Sequence, residues 1–237
     1  MIRIHHIDKV YPLSQGRSFA ALRNVTFQIH EGEILGLVGE SGSGKSTLAR
    51  ILLGLLEPTT GEILIDGVPV TGVRPRHTQM VFQDPYSSLN PRMNVETLLA
   101  EPTRIHNLPN RVDELLDLVQ LPLSCKKRYP HEFSGGQRQR IGIARALALN
   151  PKFLICDEPI SALDVSIQAQ IVNLLQELQQ TLHLTILFIA HDLAMVRHLS
   201  ERVAVLFQGQ IVELRHTEEL FATPRHPYTQ LLLNAAT

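Results

Sequence analysis

Apolar residues along the chain gather into short continuous runs, separated by stretches with helical spacing. Ile2–Ile7 and Val25–Ile29 read as strands, and Ile34–Val38 as a short buried one. A glycine-rich turn follows. Leu48, Ile51, Leu52 and Leu55 then predict a helix that stops at Pro58, and Gly61 and Gly67 bracket a further strand, EILID. From Pro85 to Asn150 strand signals fade, and Leu115, Leu116, Leu118 and Val119 mark one amphipathic helix while Arg138–Leu149 reads as another. The last third returns to alternation. Lys152–Asp157 is a buried strand, Ile171, Leu174, Leu175, Leu178 and Leu182 form a helical stripe, and Leu184–Ala190 is the next buried strand. Apolar strands alternating with helices predict an α/β fold whose parallel sheet is covered on both faces. Ligands of such sheets bind beyond the carboxyl ends of the strands, so the polar residues just past each strand carry the interest.

Three groups of residues lie at such positions. Gly39, Glu40, Ser41, Gly42, Ser43, Gly44, Lys45 and Ser46, followed by Thr47, match the phosphate-binding loop in full, directly after a strand and opening a helix. Glycines let backbone N–H groups close around phosphate oxygens, and the helix N-terminus adds positive potential. Lys45 is expected to reach the β- and γ-phosphates, and the Ser46 hydroxyl to ligate Mg²⁺. In Phe153-Leu-Ile-Cys-Asp157-Glu158 the apolar run brings Asp157 to a strand end, where it can hold the Mg²⁺ shell. Glu158 can then polarise an attacking water as general base. An acidic pair after a strand is otherwise often only a turn; the phosphate loop in the same chain favours the catalytic reading.

The third group is Ser134-Gly135-Gly136-Gln137, ahead of the helical stretch RQRIGIARALAL. Ser with Gln three residues on is a capping box, sufficient on its own to start a helix. Two consecutive glycines weaken that start by about 1 kcal/mol each relative to alanine. They are expected to let an anion approach the open N–H groups of the helix N-terminus.

With these motifs in hand, the whole chain resembles the ABC ATPase family, whose signature motif is SGGQ. The resemblance implies a RecA-like phosphate-loop core with an antiparallel β edge, spanning residues 1–85 and 151–237, and a helical subdomain at about 86–150. It implies ATP and Mg²⁺ as ligands. It also implies that two cassettes meet head to tail, so that Ser134, Gly135, Gly136 and Gln137 contact ATP held by the partner's phosphate loop. By the same match Gln83 senses Mg²⁺ and the γ-phosphate and abuts a transmembrane partner. Asp164, in Ser161-Ala-Leu-Asp164, lies on a loop crossing between subunits. His191 steadies the γ-phosphate and water, and Tyr11 stacks on adenine. A lone Tyr near a strand is commonly just packing, and an isolated His after a strand is commonly structural. Phe133 stands where the family most often has Leu and keeps the position apolar.

Composition narrows the function classes. The 22 basic and 23 acidic residues nearly cancel, which argues against nucleic acid as a partner. Two distant cysteines form no metal-spaced pair, and the eleven histidines are scattered. The N-terminal stretch carries charges where a signal peptide would be apolar. Leu184–Ala190 is too short to span a bilayer, so a place at the cytoplasmic face of the cell membrane is expected to come through permease subunits. Family members in DNA repair carry a long coiled coil between phosphate loop and signature. Here the gap from Ser46 to Ser134 is 88 residues without sustained heptads. Translation-type members carry two such domains in tandem, and an exporter cassette is the other alternative. Phe82–Met93, Asp164–Gln170 and His226-Pro-Tyr-Thr229 resemble the peptide/nickel importer subfamily. That likeness implies a second ATPase subunit, two permeases and, indirectly, an extracytoplasmic solute-binding protein. Within it, an end only eight residues past Thr229 is more like the nickel or metal-complex members, so peptide and metal chelate are both expected solutes.

Overall fold

Three five-residue runs set the centre of the fold: ILGLV and TILFI are buried at every position, and FLICD at all but its last. The computed structural model describes residues 1–14, 17–73, 76–84 and 88–235. Pro85, Tyr86 and Ser87, part of the importer-type stretch, lie outside the described residues. In chain order the strands are β1 (Ile2–Pro12), β2 (Ser18–Ile29), β3 (Ile34–Val38), β4 (Thr60–Ile65), β5 (Val68–Pro69), β6 (Thr78–Val81), β7 (Phe153–Asp157), β8 (Thr185–Ile189), β9 (Arg202–Phe207) and β10 (Gln210–His216). The helices are α1 (Lys45–Leu52), α2 (Val95–Ile105), α3 (Val112–Leu118), α4 (Gly135–Leu147), α5 (Val165–Leu182), α6 (Leu193–Leu199), α7 (Thr217–Ala222) and α8 (Pro227–Asn234).

Two compact units share these elements: Met1–Arg74 with Thr185–Thr237, and Pro75–Leu184. The first unit holds an antiparallel sheet in the order β2-β1-β4-β5, the β edge expected from the family resemblance. It also holds β3 flanked by β8 and β9, both parallel to it, with β10 antiparallel to β9. The second unit holds the parallel pair β6 and β7 together with α2 to α5. Thus β7 and α5, which the sequence pattern joins to the core, cluster with the helical stretch. Pairing of β6 with β7 and close packing of α4 on α5 tie them there.

Some element boundaries differ from the hydrophobic pattern. The first helix ends at Leu52 and does not continue to Leu55, which is 59% exposed. Gly54 turns the chain at φ 73°, and the N–H groups of Leu55 and Leu56 both close back on the Arg50 carbonyl. β1 and β2 run well past the apolar runs that announce them, because their outer ends pair with each other as a hairpin, Tyr11 opposite Phe19. The β9–β10 hairpin has no counterpart in the pattern above.

Candidate functional site

In the first unit, strand β3 delivers the chain directly into the loop Gly39–Gly44, and α1 begins at Lys45. Two glycines there are fixed by close approach. A Cβ on Gly39 would stand 2.1 Å from the Leu206 carbonyl oxygen, and one on Gly44, at φ 113°, would stand 2.6 Å from the Ala21 carbonyl oxygen. The loop is thus wedged between β2 and the end of β9, and the Gly209 N–H donates to the Ser43 carbonyl at 3.0 Å. We expect Gly39→Ala to lower stability by about 1–3 kcal/mol through this backbone clash. At about 2–4 °C per kcal/mol for a chain of this size, thermal unfolding would register it; an unchanged Tm would refute the close approach.

The loop suits a polyanion. Helix α1 has no side-chain N-cap and no acidic residue in its first turn, and its first bond runs from Leu48 N–H to the Gly44 carbonyl. The first turn of any helix turns its N–H groups outward with no carbonyl four residues back to receive them, the ordinary condition of an anion-binding helix start. Ser43 Oγ is buried without a hydrogen-bond partner, and the exposed Ser46 lies one residue past Lys45. Lys45 Nζ curls over the loop, donating to the Gly39 carbonyl at 2.7 Å and the Glu40 carbonyl at 2.8 Å. Both bonds fold the Lys45 side chain back onto the start of the loop. Glu40, Ser41 and Gly42 are exposed at the loop's tip, and Thr47 is half-buried in α1.

His191 lies at the same end of this sheet. Ile189 pairs with Leu37, the Ala190 N–H donates to the Leu37 carbonyl at 3.4 Å, and the exposed His191 comes next. Asp192 then caps α6 by accepting from the Ala194 and Met195 N–H groups. Tyr11 is a half-buried residue of β1 with the Lys9 ammonium 5.3 Å from its ring centroid.

The second unit gathers the other candidates. Val81 pairs with Cys156, so Gln83 and the Asp157–Glu158 pair leave neighbouring strands at the same end. Gln83 Nε2 donates to Glu158 Oε2 at 2.9 Å. Glu158 holds φ 48°, a conformation L-residues adopt at some energetic expense and one that recurs at functional positions. Cys156, between the apolar run and the acidic pair, is fully buried, and burial pushes its thiol far above the ordinary value, so it is inert as a nucleophile. After Glu158 the chain folds tightly: Ser161 Oγ donates to the Glu158 carbonyl at 3.1 Å, and Gln168 Nε2 donates to the Ile160 and Leu163 carbonyls. Asp164 ends this loop, exposed, at the N-cap of α5.

The signature helix α4 rests on that loop. Ser134 Oγ accepts from the Gln137 N–H at 3.3 Å and Gln137 Oε1 from the Ser134 N–H at 3.2 Å, forming the expected capping box. The glycines have a reason the sequence did not disclose. A Cβ on Gly136 would meet Ile167 Cγ2 at 2.4 Å, and one on Gly135 would meet Leu163 Cδ2 at 3.1 Å. They let α4 pack against the loop and first turn of α5, while Ser134 stays exposed.

Sequence reasoning missed Leu206, Gly209 and Tyr228, which buttress the phosphate loop. The apolar run VAVLF is the one signal that points to the first; Tyr228 stands out in the sequence only as part of His226–Thr229. Glu40 N–H donates to Tyr228 Oη at 2.9 Å.

Comparison with known proteins fits this geometry. Residues 22–161, more than half the chain, match the family model described as ABC transporter. The chain belongs to the ABC transporter family. It is the ATP-binding, ATP-hydrolysing domain of that family, built on the phosphate-loop fold. It is 52% identical to the oligopeptide transport ATP-binding protein OppF of Bacillus subtilis, over 99% of this chain and 82% of that protein. It is 51% identical to the putative oligopeptide transport ATP-binding protein YkfD of the same organism, over 99% of this chain and 76% of that one. Among solved structures, the ATP-binding cassette MJ0796, dimeric and bound to ADP and Pi, superposes with a TM-score of 0.80 at 30% identity, covering 92% of this chain and 99% of that one. Clostridium perfringens cbiO1, part of an ABC transporter complex, does so with a TM-score of 0.84 at 31% identity, covering 93% and 90%. Among the described residues no helix is long and apolar enough to cross a membrane.

Proposed function

We propose that this cassette powers the uptake of peptides through permease partners, acting at the cytoplasmic face of the membrane. The observation that carries this reading is identity above 50% with oligopeptide transport ATP-binding proteins over 99% of the chain. Its place in a membrane complex follows from the family. A second ATPase subunit, the same or different, and an extracytoplasmic binding protein complete the assembly we infer.

Each residue has a role in that scheme. The N–H groups at the start of α1 and the Lys45 ammonium bind the ATP phosphates, the ammonium exchanging the Gly39 and Glu40 carbonyls for phosphate oxygens. Ser46 in the one unit, and Asp157 and Gln83 in the other, each carry an oxygen donor of the kind that suits Mg²⁺, an ion that takes few protein ligands and keeps water and phosphate for the rest. When bound, Mg²⁺ neutralises charge on the β- and γ-phosphates. Glu158 takes the proton of the attacking water, and Gln83, hydrogen-bonded to it, sets its orientation. His191 orients water and γ-phosphate, Tyr11 stacks on adenine, and Ser134–Gln137 and Asp164 act across the dimer. The helical stretch at about 86–150, next to Gln83 in sequence, meets the permease.

Uptake of a labelled dipeptide and of radiolabelled nickel, in cells with and without the gene, tests the solute. Dipeptide uptake is expected to fall on deletion while nickel uptake holds. Loss of nickel uptake alone would reassign the solute to a metal complex. Unchanged uptake of both, with lower export of another compound, would refute import while leaving the ATPase intact.

A further inference from the structure

The His226–Thr229 segment, so far only a mark of subfamily likeness, is built against the phosphate loop. Glu40 is gripped from two sides. Its carbonyl receives the Lys45 ammonium at 2.8 Å, and its N–H donates to Tyr228 Oη at 2.9 Å, across 188 residues of sequence. The Tyr228 ring is buried and stacked on Phe207 at the end of β9, with centroids 4.0 Å apart and planes 24° from parallel. Phe207 follows Leu206, the residue whose carbonyl abuts Gly39.

The start of α8 is itself held in place. Pro227 opens the helix, and His226 Nδ1 accepts from the Tyr228 N–H at 3.2 Å. The Glu213 carboxylate on β10, only 8% exposed, accepts from the Arg225 and His226 N–H groups, each at 3.0 Å, with the Arg215 guanidinium 3.9 Å away. Packing of α8 would need only the Tyr228 ring. The hydroxyl is directed at one peptide of the loop, and a buried phenol in a fixed stack holds that peptide with little freedom.

We propose that Tyr228 is a positioning residue for the phosphate loop, its hydroxyl fixing the Glu40 peptide and thereby the seat of Lys45. This rests on the reading of Gly39–Thr47 as the nucleotide-phosphate site. Tyr228→Phe keeps ring and stack and deletes only the bond to the loop. In the full chain, titration with a fluorescent ATP analogue is expected to show Kd raised about threefold to tenfold, the worth of one hydrogen bond. KM for ATP should rise with it at unchanged kcat, and amide exchange at Glu40 should accelerate. Glu213→Gln, which loosens the start of α8 without touching the loop, should shift Kd in the same direction. Leu231→Ala, on the exposed side of α8, should not. Lys45→Ala separates the two readings. If it weakens binding while Tyr228→Phe and Glu213→Gln leave both Kd and Glu40 exchange unchanged, the positioning role is wrong and the phosphate site stands. If Lys45→Ala also binds ATP normally, the phosphate-site reading falls and the positioning role falls with it.

Discussion

Replacing Glu158 with Gln is expected to leave ATP binding intact and to lower turnover by about 10²–10⁴, the usual worth of a positioned general base. The substitution is near-isosteric. In the wild-type chain one carboxylate oxygen accepts from Gln83 Nε2 at 2.9 Å, and an amide oxygen at the same place can still accept that bond. What the amide cannot do is take a proton from water. The φ of 48° at Glu158 is set by the turn that Ser161 and Gln168 hold through carbonyls, none of which the change removes. Folding and nucleotide affinity should therefore persist while chemistry stops. Phosphate release under saturating ATP, with a parallel binding titration, reads both quantities. Turnover close to wild type would take the base role away from Glu158, and a loss of ATP affinity equal to the loss of turnover would make it a binding residue.

Much of this site could be read from the sequence because it is local. A buried run such as ILGLV or FLICD ends in the residues that act, so strand, turn and chemistry fall within about a dozen positions. The capping box at Ser134 and Gln137 is equally local and formed as expected. What the sequence hid is contact between distant segments. Helix α1 stops early because Gly54 lies against Gly72, where a Cβ would meet the carbonyl oxygen at 2.0 Å. Gly136 is small because Ile167 lies over it, and the anion-approach argument alone does not contain that neighbour. Tyr228 reaches the phosphate loop only because β9, β10 and α8 fold back beside β3, and no short window of sequence records such a return. The solute is hidden for another reason. The chain that hydrolyses ATP is not expected to touch the cargo, so subfamily likeness, and no local chemistry, carries that inference.

Ser134→Arg is expected to abolish ATP-dependent dimerisation while sparing ATP binding to the single chain. Ser134 is exposed, and its side chain accepts from the Gln137 N–H at 3.3 Å. Losing that cap removes about 1 kcal/mol, too little to unfold a helix whose buried face includes Ile141, Ile143, Ala144 and Leu147. Gly136 keeps its contact with Ile167, so α4 stays on α5. The phosphate loop and Lys45 belong to the other compact unit and keep their own contacts. The change therefore acts where the exposed end of α4 would meet another cassette. In the proposed head-to-tail assembly, a bulky guanidinium would there replace a small hydroxyl beside the partner's bound phosphate. In a Glu158→Gln background, where ATP persists, light scattering is expected to give a dimer with ATP and Mg²⁺, and a monomer once Ser134→Arg is added. A double variant that still dimerises on ATP would remove the signature from the interface, and with it the head-to-tail site.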